Sequence, residues 1–159
     1  MVKIILKILI ILLLAIFQIS LMTKFLIWGA MPNLILIFAI ALVIKNRFYD
    51  ALLVGFLGGF CLDLASSLWF GSYVFSFSAI LIMLNFLLLK TLPPPNHFIV
   101  FLIYFASFLF LELLTFLFIG LWPSWFILIG VLINSLWAIS IYILIQSKLI
   151  AKEEIQLVQ

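Results

Sequence analysis

Six apolar runs follow one another along the chain, each ended by a short step rich in polar residues, glycine or proline. They cover about Ile4–Met22, Leu34–Ile44, Phe48–Ala65, Tyr73–Leu92, His97–Ile119 and Trp125–Ile145. A bilayer's hydrocarbon core is about 30 Å thick, and a helix needs about 20 residues to cross it. Runs of this kind in series make lipid the solvent. Composition agrees: 8% of residues are charged, where a soluble domain carries about 25%. With 69% hydrophobic residues in 159, one small core cannot hide the apolar surface. Six spans use about 120 residues, which leaves no room for a separate soluble domain. The expectation is an all-α integral membrane protein, a bundle of six transmembrane helices forming a single domain over 1–159. The helices are expected at about 4–22, 32–45, 48–65, 73–92, 97–119 and 124–147, with a short cytoplasmic tail over 148–159.

The cations orient such a bundle. With six spans both ends share a side, and that side carries Lys3, Lys7, Lys45, Arg47, Lys90, Lys148 and Lys152 against Lys24 alone on the other. Cytoplasmic loops carry the excess of Lys and Arg, so both termini are expected in the cytoplasm. Trp28, Trp69, Trp122 and Trp125 then fall at the outer ends, where tryptophan favours the interface. The net charge of +3 is spread in ones and twos at the ends of apolar runs. That is not a phosphate-binding stripe, and nucleic acid is not an expected partner. Lys3 and Lys7 before an apolar run resemble a signal peptide, but no A-x-A cleavage site follows, so a retained first helix is expected.

Pro32 and Asn33 mark the start of the second helix. Proline is tolerated in a first turn and harmful in an interior. Two courses are therefore open: a short helix starting at Pro32, spanning only about 20 Å to Lys45, or a longer one starting near Phe25 and kinked at the proline.

Polar groups inside a membrane are costly and default to function. Asp63 lies about 22 Å from the start of the third helix, and Glu112 at a similar depth in the fifth, both in the outer half. Asn134 is near the middle of the sixth helix and Asn85 in the inner half of the fourth. Gly55, Gly59 and Asp63 recur every four residues and share one face. Gly55 and Gly59 form a G-x-x-x-G pair that admits another helix, and Gly58 widens the smooth surface. Internal packing is the bland reading of these glycines, while a buried carboxylate also needs a partner, an altered pKa or water.

Catalysis is not expected. Asp50 and Asp63 are the only aspartates and stand about 20 Å apart on one helix, too far for a dyad. His97, the only histidine, is placed in a cytoplasmic loop, and Cys61, the only cysteine, can neither pair internally nor hold a metal alone. No phosphate loop or H-E-x-x-H is present. No cofactor or metal is expected.

Pro32-Asn33 before a short helix, then Gly55-Phe-Leu-Gly-Gly-Phe-Cys-Leu-Asp63, then Gly71, resembles the bacterial rod shape-determining MreD family. Glu112 within Leu-Phe-Leu-Glu-Leu-Leu is similar to that family too, and the length and six-span layout match over essentially the whole chain. The Trp-rich outer turns and the run Pro93-Pro94-Pro95 are not family features. The resemblance implies a non-enzymatic scaffold in the cytoplasmic membrane. Its implied partners are MreC first, then MreB, RodA and a penicillin-binding transpeptidase in the assembly that directs lateral peptidoglycan synthesis. It also implies a fold like the substrate-binding subunits of energy-coupling-factor transporters. On this reading Gly55, Gly58, Gly59, Asp63 and Gly71 organise the bundle or the contact with MreC.

The rival is a substrate-binding subunit of a small-molecule (vitamin) transporter, with Asp63 and Glu112 lining an outward pocket. The two acids would share a proton, or one would pair with Lys24. The small-residue pair that such subunits often use on their first helix is not found. A subunit of some other membrane complex is the third reading.

Overall fold

A computed structural model describes residues 2–20, 32–66, 69–90, 96–119 and 125–157, with side chains described over 4–20, 32–66, 69–89, 96–118 and 127–144. Among the described residues six helices follow in order: α1 Val2–Ser20, α2 Leu34–Ile44, α3 Phe48–Ala65, α4 Ser72–Lys90, α5 His97–Ile119 and α6 Trp125–Leu157. Among the described residues there is no sheet. Four segments among the described residues are long and apolar enough to cross a membrane: Phe48–Ala65, Ser72–Leu89, His97–Phe118 and Ile127–Leu144. They mark a multi-pass membrane protein. Ile4–Ser20 of α1 and Leu34–Ile44 of α2 are shorter apolar helices.

The shortest helix is the centre. α2, with the sequence LILIFAIALVI, carries no polar side chain on any face, and a helix apolar all round belongs in an interior. Nine of its 11 residues are buried. It packs against α1, α3, α4 and α6, and Tyr104 of α5 donates its hydroxyl to the Ile37 carbonyl at 3.1 Å.

The surrounding helices are one-sided. α1 buries Ile11, Ala15 and Gln18 and exposes Ile5, Leu9, Leu13 and Ile16. α5 buries Val100, Tyr104, Ser107, Phe108 and Leu111; α6 buries Val131, Asn134, Ser135, Ala138 and Tyr142. These spacings of three and four trace one stripe along each helix. Burial of apolar groups gives no drive for helix association in lipid, so close fit and buried polar bonds must hold α2 in place.

Two differences from the expected elements stand out. α2 starts at Leu34, with Asn33 as its N-cap, and Pro32 lies outside the helix. The described backbone is non-helical at Pro32 and Asn33, so no kinked helix runs through the proline. The course near Phe25 falls outside the described residues. α6 continues to Leu157, where a separate tail was expected from residue 148. The charged residues Lys148, Lys152, Glu153 and Glu154 do not interrupt the helix, because Lys and Glu are good helix formers. Lys24, Trp28, Pro93, Pro94, Pro95 and Trp122 lie outside the described residues, as do the side chains of Lys3, Lys90, Trp125, Lys148 and Lys152.

At its far end α2 is closed by a Schellman motif. Asn46, in the left-handed region at φ 56°, donates its amide to the Val43 carbonyl at 2.9 Å, and Arg47 donates to the Leu42 carbonyl at 2.9 Å. Asparagine is the non-glycine residue that best tolerates this conformation.

Candidate functional site

The residues singled out on α3 meet the first turn of α4. Each helix N-terminus leaves amides without partners, and α4 borrows its cap from the neighbouring helix. The Tyr73 amide donates to Asp63 Oδ1 at 2.9 Å and the Val74 amide to Asp63 Oδ2 at 3.1 Å. Both carboxylate oxygens are thus occupied, and Asp63 is 4% exposed. A negative charge at this place also complements the positive end of the α4 dipole.

Gly59, one turn earlier, makes room for this contact. A Cβ there would lie 3.1 Å from both N and Cα of Val74 and 3.2 Å from the Tyr73 carbonyl carbon. Gly55 faces the same helix, where its Cβ would meet Leu81 Cδ1 at 2.6 Å. Gly58 points elsewhere: a Cβ would run into the Ile35 side chain of α2. Gly71 turns the chain into α4 with φ +93°, a conformation open to glycine and strained for other residues. Ser72 donates its hydroxyl to the Trp69 carbonyl at 2.5 Å and tightens the same turn. The three helical glycines are therefore filled by the chain's own α2 and α4.

A second polar centre was not foreseen as a unit. The α2 N-terminus is buried, and three amide side chains from three helices or caps satisfy it. Gln18 of α1 accepts the Ile35 amide on Oε1 at 3.0 Å and donates through Nε2 to Asn33 Oδ1 at 3.3 Å. Asn33 Oδ1 also accepts the Leu36 amide at 3.1 Å. The Asn33 amide donates to Asn134 Oδ1 of α6 at 2.8 Å, and Asn134 Nδ2 donates to the Gly130 carbonyl at 3.0 Å. Gln18 is 1% exposed, Asn33 9% and Asn134 8%. Irregular backbone at membrane depth is tolerated only where protein covers and satisfies it; this network does both. A lone amide one helical repeat along from Ile11, on the face that also carries Ala15, was the signal for Gln18 in the sequence.

The remaining polar positions stand apart. The Glu112 side chain of α5 is partly buried and makes no hydrogen bond or ion pair among the described residues; Tyr73 lies within electrostatic reach of both Glu112 and Asp63. Asn85 is partly buried on α4. His97 is an exposed first residue of α5, not a loop residue. Asn96, which sequence reading passed over, caps α5 by accepting the Ile99 amide at 2.9 Å. Trp69 is exposed and Cys61 is free and partly buried. Among the described residues no group of three or more His, Cys, Asp or Glu could hold a metal ion.

At the other end of the bundle, Lys7 of α1 donates to Asp50 Oδ1 at 2.6 Å, and Arg47 donates to Asp50 Oδ2 through Nε at 2.8 Å and Nη2 at 2.5 Å. Lys45 Nζ stands 6.0 Å over the Tyr142 ring. The described cations, Lys7, Lys45 and Arg47, therefore share one end. Comparison with protein-family models, with curated proteins and with solved structures finds no match to the chain.

Proposed function

We propose that the chain is a non-enzymatic membrane scaffold of the bacterial cell-elongation machinery. It would be an MreD-like, six-span protein of the cytoplasmic membrane with both termini inside. It would bind MreC and, within the same assembly, stand with MreB, RodA and a penicillin-binding transpeptidase to support lateral peptidoglycan synthesis and rod shape.

The observation that carries the reading is the junction of α3 and α4. Gly55, Gly59, Asp63 and Gly71, four of the residues on which the resemblance rests, all serve that one junction. A motif spent on joining helices suits a protein whose work is to hold a shape. Pro32 and Asn33, also part of the resemblance, introduce the buried start of α2. The outer faces supply broad apolar surface, including Phe56, Phe60 and Leu64 of α3 and Leu132, Leu136 and Trp137 of α6. In lipid, partners bind such faces by close packing and polar bonds. Clustering of Lys7, Lys45 and Arg47 at one end fits a cytoplasmic start for α1.

Depletion of the chain in its native cell, followed by microscopy and by co-purification in mild detergent, tests the proposal. Loss of rod shape and recovery of MreC are expected. Normal shape on depletion, or recovery of a transporter's ATPase subunits in place of MreC, would reject it.

A further inference from the structure

A cleft of about 130 Å³ opens where α1 begins, α2 ends and α3 begins. Its walls are apolar, with Ile10 and Ile11 from α1, Leu42 from α2, and Leu53 and Val54 from α3. Its rim is charged and consists of Lys7, Arg47 and Asp50. Two cations share one carboxylate there, so the rim keeps a net positive charge.

Neither cation is used up. An ammonium has three N–H donors and a guanidinium five. Among the described residues Lys7 gives one bond to Asp50 and Arg47 gives two. Their side chains are 45% and 55% exposed, so both head groups remain accessible to a ligand. Lys45, at the same end, adds to the positive field.

A pair of cations over an apolar cleft, at the end of helices long enough to cross a bilayer, is complementary to one kind of molecule. That molecule carries an anionic phosphate on an acyl chain. We propose that this cleft binds an anionic phospholipid, with its phosphate on Lys7 and Arg47 and an acyl chain against Ile10 and Leu53. Asp50 is a positioning residue that holds the two cations side by side. Charge complementarity selects the lipid class, because a zwitterionic headgroup would bring its own cation to a rim already positive. The inference needs the chain to lie in a membrane and is independent of the scaffold role.

Native mass spectrometry of the purified protein with added phosphatidylglycerol, phosphatidylcholine of the same chains, or inorganic phosphate tests the site. Phosphatidylglycerol should be retained at least about fivefold better than phosphatidylcholine, the share one cation contributes near an anionic headgroup. Lys7→Gln and Arg47→Gln should each lower phosphatidylglycerol retention about fivefold and lower phosphatidylcholine retention by less. Both side chains are about half exposed, and exposed ion pairs contribute little, so the variants should melt close to the parent. Leu53→Trp, which fills the cleft and spares the rim, should also lower phosphatidylglycerol retention. Equal retention of the two lipids would overturn the proposal, as would unchanged retention in both rim variants. Displacement of phosphatidylglycerol by inorganic phosphate at equal concentration would show that the cleft adds nothing and would overturn it too.

Discussion

Asp63 and Tyr73 belong to different helices, yet the carboxylate of one is the helix cap of the other, with the Tyr73 amide 2.9 Å from Asp63 Oδ1. Val74 completes the cap at 3.1 Å on Oδ2. An intramembrane acid that would ordinarily signal transport or catalysis is here a structural acceptor with both oxygens engaged.

Removing that acceptor should unfold the α3–α4 junction first. Asp63→Ala leaves two partly buried amides without their acceptor, and loss of an N-cap costs about 1–2 kcal/mol. Asp63→Asn keeps one acceptor oxygen and should fall between parent and alanine. Thermal unfolding of the purified variants in one detergent gives the order. An Asp63→Ala variant that melts with the parent while losing partner binding would show a functional acid instead.

The glycines should separate by what faces them. At Gly59 an added methyl meets backbone of Val74 and Tyr73, which cannot step aside without moving α4. At Gly58 it meets Ile35, a β-branched side chain locked in the centre of the bundle. At Gly55 the close atom is the tip of Leu81, which can rotate away, and alanine gains about 0.5–1 kcal/mol over glycine within a helix. Gly58→Ala and Gly59→Ala should therefore lower the melting temperature, and Gly55→Ala should leave it near the parent value. Equal losses at all three would mean that the face acts as a stripe and that the individual contacts do not decide.

Much of this architecture is legible in the order of apolar runs. Breaks at Lys45-Asn46-Arg47 and at Gly71 mark helix ends because charge, a left-handed asparagine and a left-handed glycine act locally. The shared face of Gly55, Gly59 and Asp63 follows from helical period alone. Distant partners are harder to foresee. Nothing near Asp63 in the chain reveals that its ligands are amides ten and eleven residues on. Pairing of Asn33 with Asn134 crosses 101 residues, and a single asparagine in an apolar run carries no sign of its partner. The depth of α2 was also hidden, since an all-apolar stretch reads alike whether it faces lipid or protein. Its short length and the proline before it were the only hints.

The network at the α2 N-terminus should behave as a unit. Gln18→Leu strands the Ile35 amide, and Asn134→Leu strands the Asn33 amide. Each should cost about 1–3 kcal/mol, as for other buried groups left without partners. Both side chains act through Asn33, so the double variant should lose less than the sum of the singles. Additive losses in a double-mutant cycle, followed by thermal unfolding, would separate the two contacts. Tyr104→Phe should cost less, because the Ile37 carbonyl keeps a place in the α2 ladder after the hydroxyl is gone.

Glu112 should part company with Asp63. It is partly buried on α5 and its side chain has no hydrogen bond or ion pair among the described residues, so the fold draws no direct support from its carboxyl group there. Glu112→Gln removes the ionised form that membrane interiors disfavour and keeps the shape. The variant should melt at or above the parent temperature, in contrast to Asp63→Ala. Should the chain act as a scaffold, any effect of Glu112→Gln ought to fall on recovery of MreC at normal protein level, since a polar group on a helix flank is available to a partner. Measuring melting temperature and MreC recovery side by side distinguishes the two acids. A Glu112→Gln protein that is strongly destabilised would place this carboxyl among the internal supports and remove it from consideration as a contact.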